Sequence, residues 1–381
     1  MGMVGGGRGA FIGAVHRMTA QLDGLIELCS GAFSSDPERS RASGEDLFLP
    51  KNRAYGTYEE MFQKERELPE QDRMDFVSIV TPNDQHYPVI KMALENGFPV
   101  VCDKPLCFDW TEAKKLESLV AKSGLLFVLT HNYSGYPMIK EARQRIGSGQ
   151  LGKIRKVVAE YPQGWLATRL ESEGQKQASW RTDPERAGAS CCIGDIGTHA
   201  AHLTEYVTAL EIEEVCADLT SFVEGRRLDD DGSVLLRFRG GARGALLASQ
   251  ISIDEENGLK LRVYGERGGL EWCQEEPNTL LLKWPDRPRE LLRTGVNYAH
   301  HSSEALRNTR LPAGHPEGYI EAFANLYRNF ALALIAQLAG KKPEPEHLDF
   351  PGIRDGVRGM AFIEATVQSS KSQQKWTKLP E

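Results

Sequence analysis

Short apolar runs alternate with helical patterns along the first third of the chain. Residues 1–4, 76–80, 99–102 and 125–129 are brief apolar runs, and residues 12–22, 59–67, 87–96 and 111–123 carry apolar side chains at helical spacing. Such alternation predicts a parallel sheet with helical crossovers. The run at 76–80 is apolar without a break, as a strand covered on both faces requires. A further strand is predicted over 25–33, ended by Ser34-Ser35-Asp36-Pro37. Thr111 reads as a helix N-cap, and Gly97 and Gly124 as helix stops. The opening strand at 1–4 is shorter than the usual span of about five to six residues. A native start several residues upstream is the expectation.

The rhythm changes after residue 133. A helix predicted over 137–146 is followed by strand-like runs at 156–161, 213–224, 233–238, 244–253, 260–265 and 268–273, without regular helical crossovers. Strands joined by turns imply a largely antiparallel sheet, and Gly240-Gly241 marks one hairpin. Long amphipathic helices are expected over 318–338 and 353–369, with a surface connector at 341–346.

Length and composition narrow the picture. A chain of 381 residues exceeds what one core usually holds. With 40% hydrophobic and 26% charged residues it is not a disordered chain. The expected division is an α/β Rossmann domain over 1–133, then an α+β domain over 134–381 with an open, mostly antiparallel sheet. A net charge of −7 offers no global attraction for nucleic acid or an anionic membrane. Seven cysteines, odd in number and without a CxxC pair, argue for single buried thiols in a reducing cytosol. No apolar run approaches the ~18 residues that cross a membrane. The first 13 residues lack a signal peptide's apolar stretch, and Gly6 sits where a myristoylation motif has Ser or Thr.

Those early glycines have a chemical reading. In Gly5-Gly6-Gly7-Arg8-Gly9-Ala10-Phe11-Ile12-Gly13, Gly5 and Gly7 suit the tight turn and close approach that a dinucleotide pyrophosphate needs. Gly13 suits the close helix–strand contact if two extra residues lengthen the loop. A plain turn is the alternative. No carboxylate stands at the tip of the second strand; Ser34 there suits a ribose hydroxyl or a 2′-phosphate, with Asp36 and Arg39 close by. NAD and NADP both stay open. Thr81-Pro82-Asn83-Asp84-Gln85-His86 follows the strand at 76–80, where open α/β sheets gather ligands, although Pro-Asn also makes an ordinary turn.

Asp103-Lys104-Pro105 follows the next strand. A lysine there can hold a substrate hydroxyl or relay its proton, or be a surface residue before a turn. In Gly194-Asp195-Ile196-Gly197-Thr198-His199, a helix from Asp195 puts Asp195 and His199 on one face. That pair reads as a general base with its carboxylate, or as a cap with a core histidine. Adding His202 gives a rival divalent-metal reading, less consistent with the rest of the chain. The loop 162–183 combines Trp165, Trp180, Arg181 and Asp183. Rings for C–H faces and directional partners for hydroxyls suit a sugar; incidental surface tryptophans are the alternative.

The ordered set of glycine loop, Thr-Pro-Asn-x-x-His, Asp-Lys-Pro and Gly-Asp-Ile-Gly-Thr-His resembles the glucose–fructose oxidoreductase, inositol dehydrogenase and rhizopine-catabolism (Gfo/Idh/MocA) family over nearly the whole chain. The family hallmark is Glu-Lys-Pro, so Asp103 is a conservative departure. The resemblance implies that Lys104, Asp195 and His199 are catalytic. It also implies that Gly5, Gly7, Gly13, Thr81, Pro82, Asn83, His86, Asp103 and Lys104 lie at cofactor positions. Stretches such as Thr130-His131-Asn132-Tyr133 and Ser179-Trp180-Arg181 look like a branch acting on glucose-like rings, akin to levoglucosan-type dehydrogenases. Tyr133, Trp165, Trp180, Arg181 and Asp183 are the substrate candidates. Expected from the resemblance are NAD or NADP as cofactor, a sugar or polyol substrate, no resident metal, and a homodimer or homotetramer. NAD-dependent glycoside hydrolysis and non-catalytic cofactor sensing are the competing functions.

Overall fold

The computed structural model describes residues 1–381, which fall into two compact units. The first comprises Met1–Thr130 and Phe323–Val357. Its elements begin with β1 (Gly2–Gly5), α1 (Phe11–Gln21), β2 (Ser30–Ala32), α2 (Pro37–Asp46) and α3 (Tyr58–Glu67). They continue with β3 (Val77–Val80), α4 (His86–Glu95), β4 (Val100–Cys102), α5 (Trp110–Ser123) and β5 (Phe127–Leu129). The strands form one parallel sheet in the order β2-β1-β3-β4-β5. Residues of β3, β4 and β5 are all buried, which explains their uninterrupted apolar sequence. The strand order reverses between β1 and β3, so the loops leaving their carboxyl ends frame a ligand crevice.

The second unit comprises His131–Ala322 and Arg358–Glu381. It contains α6 (Pro137–Gly147), β6 (Ile154–Pro162), α7 (Lys176–Arg181), α8 (Pro184–Ala187), α9 (Thr198–Thr208), β7 (Ile212–Thr220), β8 (Asp231–Phe238) and β9 (Arg243–Ser249). Next come β10 (Lys260–Gly265), β11 (Gly269–Cys273), β12 (Thr279–Lys283), β13 (Glu290–Arg293) and α10 (Ser303–Arg307). The chain closes with α11 (Tyr319–Leu338), which belongs to the first unit from Phe323 onward, then α12 (Ile353–Lys371) and β14 (Thr377–Lys378). Nine strands run in the order β13-β12-β11-β10-β6-β9-β8-β7-β14, antiparallel except for the β6–β9 pair. Val234, Leu236 and Phe238 of β8 are buried on one face, while Leu235 and, on β9, Leu247 are 50% and 43% exposed on the other. This is the half-solvated alternation of an antiparallel sheet.

Several expected boundaries shift for physical reasons. The strand expected over 25–33 shortens to Ser30–Ala32, the three residues that pair with the four-residue β1. Asp109, not Thr111, caps α5, accepting from the Glu112 amide at 2.8 Å. The strand expected over 213–224 ends at Thr220, because the Asp230 carboxylate takes the amides of Phe222 and Val223 at 2.8 and 3.0 Å. The strand expected over 244–253 ends at Ser249, beyond which the Gln250 amide turns to the Asp230 carbonyl. Helix α2 and strands β12 and β13 were not expected, nor was α7 within the 162–183 loop.

Candidate functional site

In the first unit the glycine loop is built for close approach. Gly5 and Gly6 have φ of +83° and +73°, in the left-handed region. A Cβ on Gly13 would lie 2.3 Å from the Gly6 Cα, so helix and loop pack backbone to backbone. Gly6 is therefore a partner in the third glycine role that sequence reasoning missed; the unbroken glycine triplet was its signal. A Cβ on Gly7 would meet Ser43 Oγ at 2.7 Å. Helix α1 starts without a side-chain cap or an acidic residue in its first turn. Its leading amides and positive dipole end thus suit phosphate oxygens. Arg8 braces the loop from outside through a bidentate pair with Asp46, and Arg39 Nη2 donates to the Arg8 carbonyl at 2.6 Å.

At the tip of β2, half-buried Ser34 accepts from the Asp36 amide at 3.2 Å. Asp36 itself caps α2, accepting from the Arg39 amide at 2.9 Å. After β3, the Thr81 hydroxyl oxygen is buried without a hydrogen-bond partner. A buried orphan of this kind is what a ligand hydroxyl or amide would satisfy. The glycine cradle, the uncapped helix and this orphan together fit a dinucleotide. Pro82 precedes a one-turn helix that begins at buried Asn83.

His86 was expected at a cofactor position, and both its ring nitrogens face backbone. Nδ1 is 2.8 Å from the Pro105 carbonyl and Nε2 is 3.0 Å from the Thr81 carbonyl. The ring thereby ties the turn after β3 to the turn after β4. Burial pushes the His86 imidazole below its usual pKa, against the pull of Asp103 and the two carbonyls. Asp103 Oδ1 accepts from the Lys104 amide at 2.9 Å and the Thr130 hydroxyl at 3.0 Å. Lys104 is half-buried on this turn.

In the second unit Asp195 lies on a π turn, Ile193–Gly197, immediately before α9. The i, i+4 reading of Asp195 and His199 supposed an α-helix starting at Asp195, whereas the α-helix starts at Thr198. The wider turn arises because Ser190 and the amides of Cys191 and Ile193 are held by the buried Asp229 carboxylate at 2.9–3.0 Å, and Gly194 and Gly197 admit it. Asp195 Oδ2 accepts from Gln250 Nε2 at 2.9 Å and is ion-paired with Arg181 Nε at 3.2 Å.

His199, 7% exposed, sits at the start of α9. Its Nδ1 is 3.4 Å from His131 Nδ1, and its ring meets the Tyr133 ring edge-on with centroids 4.8 Å apart. His131 in turn stacks on His202 at 4.2 Å. The Tyr133 hydroxyl, pushed up by burial, is bonded to Tyr161 and to Asn257 Nδ2. His131, Tyr161, Gln250 and Asn257 were not among the expected site residues. Only His131 lay in a quoted motif, and the others reach the cluster from distant strands and loops. No group of three or more His, Cys, Asp or Glu is disposed to hold a metal ion.

The substrate candidates divide. Tyr133 joins the histidine cluster, and Arg181 lies against Asp195 with its guanidinium 4.2 Å from the Trp180 ring and 6.0 Å from that of Trp165. Asp183 is placed otherwise: it caps α8 and pairs with Arg227 at 2.9 Å.

Comparison with known proteins agrees with both units. Residues 1–133 match the oxidoreductase family with an NAD-binding Rossmann fold, and residues 139–271 match the Gfo/Idh/MocA C-terminal domain. The oxidoreductase YfiI of Bacillus subtilis is 35% identical over 98% of this chain and 95% of its own. An inositol dehydrogenase homolog from Azotobacter vinelandii, solved in complex with NAD+, aligns with a TM-score of 0.93 at 37% identity, over 99% of this chain and 96% of that one. Levoglucosan dehydrogenase of Pseudarthrobacter phenanthrenivorans is 24% identical over 74% of this chain and 75% of its own. The chain belongs to the Gfo/Idh/MocA family of oxidoreductases and carries that family's NAD-binding Rossmann domain.

Proposed function

We propose that this oxidoreductase interconverts a secondary alcohol of a sugar or cyclitol with the corresponding ketone, using NAD or NADP. The observation that carries the reading is the buried His199, set between Tyr133 and His131 close after the Asp195 turn, in a chain whose other unit has a dinucleotide cradle. Relatives named for inositol and levoglucosan support a polyhydroxylated ring as substrate. Residues 1–133 hold the dinucleotide; residues 134–381 hold the substrate and the subunit contacts of a homodimer or homotetramer. Seven free thiols suit a reducing cytosol.

Gly5, Gly7 and Gly13 would admit the pyrophosphate, Ser34 would hold the adenosine ribose, and the Thr81–His86 and Asp103–Lys104 turns would hold the nicotinamide half. The chemistry that a bound nicotinamide supplies is hydride acceptance from the carbinol carbon. His199 takes the hydroxyl proton as that carbon becomes a ketone, so one proton and one hydride leave together. Asp195 favours the protonated imidazole that results. Lys104 donates to the reacting oxygen and assists the proton's departure. Tyr133, Trp165, Trp180 and Arg181 shape the ring's surroundings.

A panel of sugars and cyclitols, assayed with both cofactors by the absorbance of reduced nicotinamide, tests the reading. Turnover of at least one ring polyol, lost in His199→Ala, is expected. Aryl glycoside cleavage without accumulation of reduced cofactor would instead establish NAD-dependent hydrolysis. Tight cofactor binding with no turnover across the panel would establish a sensor.

A further inference from the structure

The first unit buries a polar chain that the proposed chemistry leaves unused. His16 on α1 and Tyr327 on α11 are 0% and 1% exposed. His16 Nδ1 lies 2.7 Å from the Tyr327 hydroxyl and 3.2 Å from the Ser78 hydroxyl, and the two hydroxyls are 2.9 Å apart. Phe323 and Tyr327 pack their ring edges against the imidazole, with centroids 4.8 and 5.8 Å away, so the ring is held in orientation. The other ring nitrogen, Nε2, is buried and has no hydrogen-bond partner. It lies 3.9 Å from Asp103 Oδ1.

The carboxylate gives this chain a direction. An ionised carboxylate only accepts, and a neutral imidazole donates from one nitrogen alone. The consistent arrangement has Ser78 donating to Tyr327, Tyr327 donating to His16 Nδ1, and the Nε2–H facing Asp103. The other tautomer would turn a lone pair toward the negative charge of a half-buried carboxylate, which a partly desolvated site penalises. At 3.9 Å the last contact is electrostatic attraction rather than a hydrogen bond.

Asp103 is also faced by His86 from α4, by Lys104 on its own turn, and by the Thr130 hydroxyl beyond β5. Burial pushes its carboxyl up, but His16, Lys104 and His86 together hold it well below the usual carboxylate range. Because Asp103 Oδ1 accepts the Lys104 amide, whatever fixes this carboxylate also fixes the backbone that presents Lys104.

We propose that His16, oriented by Tyr327 and Ser78, is a positioning residue that fixes the Asp103 carboxylate and through it the presentation of the Lys104 amine. The inference rests on the reading of Lys104 given above and adds a requirement from α1 and α11 that no motif at residues 103–105 contains.

The test compares His16→Leu, His16→Gln, Tyr327→Phe and Lys104→Ala in the full chain. Three readouts are taken: kcat with the best substrate of the panel, reduced-cofactor Kd by fluorescence, and the rate at which an amine-selective reagent labels Lys104 in cofactor-free protein. His16→Leu is expected to lower kcat about tenfold, because a carboxylate that has lost its facing N–H presents Lys104 less well. Its Kd should stay within about twofold, and its Lys104 labelling rate should change. His16→Gln keeps a donor near Nε2 and should recover most of the loss. Tyr327→Phe removes one hydroxyl and should show the same changes at smaller size, which keeps the idea testable if the leucine variant folds poorly. Equal behaviour of the leucine and glutamine variants would overturn the proposal, as would unchanged Lys104 labelling in Tyr327→Phe. Wild-type turnover in Lys104→Ala would overturn the reading of Lys104 instead. An inactive Lys104→Ala beside a fully active His16→Leu would overturn the relay alone.

Discussion

The Nδ1 atoms of His131 and His199 face one another at 3.4 Å, so only one of the two can carry a proton at that position. His131 is thereby tied to the protonation of the proposed base, while its stacking on His202 at 4.2 Å fixes its plane. Replacing His199 by Ala should lower kcat by about 100-fold or more, the usual span for a general base. His131→Phe keeps the stacking but removes the facing nitrogen. Its expected cost is about two- to tenfold, the scale of one hydrogen bond. Steady-state kinetics of both variants checks this, with reduced-cofactor affinity by fluorescence as the control that should not move. Equal losses for the two would show that His131, not His199 alone, handles the proton.

Gly13 and Gly6 make the tightest backbone approach in the loop, with 2.3 Å left for a Cβ. Gly13→Ala should therefore separate α1 from the loop. A loss of about 1–3 kcal/mol in stability is expected from overpacking. Cofactor affinity should fall more sharply than stability, because the moved amides are those that would face phosphate. Thermal melting and fluorescence titration measure the two effects. Full cofactor affinity in this variant would remove the loop from the binding site.

Much of this was legible before the structure because it is local. The glycine triplet, the uninterrupted apolar strand before Thr81 and the Gly240-Gly241 hairpin each report a backbone need within a few residues. Helix α2 was missed because its residues are nearly all polar, although Asp36-Pro37 is a cap followed by a proline at the first helical position. The π turn at Asp195 was not legible, since it depends on Asp229 gathering donors from more than thirty residues away. Gln250 carries no local signature either. It matters only because strand β9 ends where its amide meets Asp195. Nor does the 3.6-residue pattern of α11 reveal that Phe323–Val357 belongs with the first unit. Local spacing encodes elements and turns, whereas partners distant in sequence are set by packing.

Gln250 and Arg181 share one oxygen of Asp195. The Gln250 amide is fully buried, and its oxygen accepts from the Cys191 thiol at 3.5 Å. Each of Gln250→Leu and Arg181→Ala should lower kcat several-fold, to about tenfold. Their effects should not add. Residues that act on one group couple by about 0.5–3 kcal/mol in a double-mutant cycle. Strict additivity in kcat would mean that the two do not act through Asp195.

Arg226 offers the sharpest stability test. Its guanidinium is fully buried and spends its donors on Glu171, Asp230 and the carbonyls of Leu166 and Thr168, at 2.9–3.1 Å. Arg226→Met strands the buried Asp230 charge and frees the segment that begins at Leu166. Breaking a buried pair by removing one partner costs about 3–5 kcal/mol. Denaturant unfolding should show a loss of that size at neutral pH. The pH dependence has a definite sign. Burial pushes the Glu171 carboxyl up, but Arg226 outweighs it and holds the carboxyl below its usual value. A depressed carboxylate contributes stability that is complete above the ordinary glutamate value, about 4.3, and lost as pH falls through the depressed one. The difference between wild type and variant should therefore be widest near neutrality and shrink below about pH 4, where the Glu171 contribution is lost. A gap that stayed constant down to about pH 3 would mean that the guanidinium stabilises this region by packing rather than by charge.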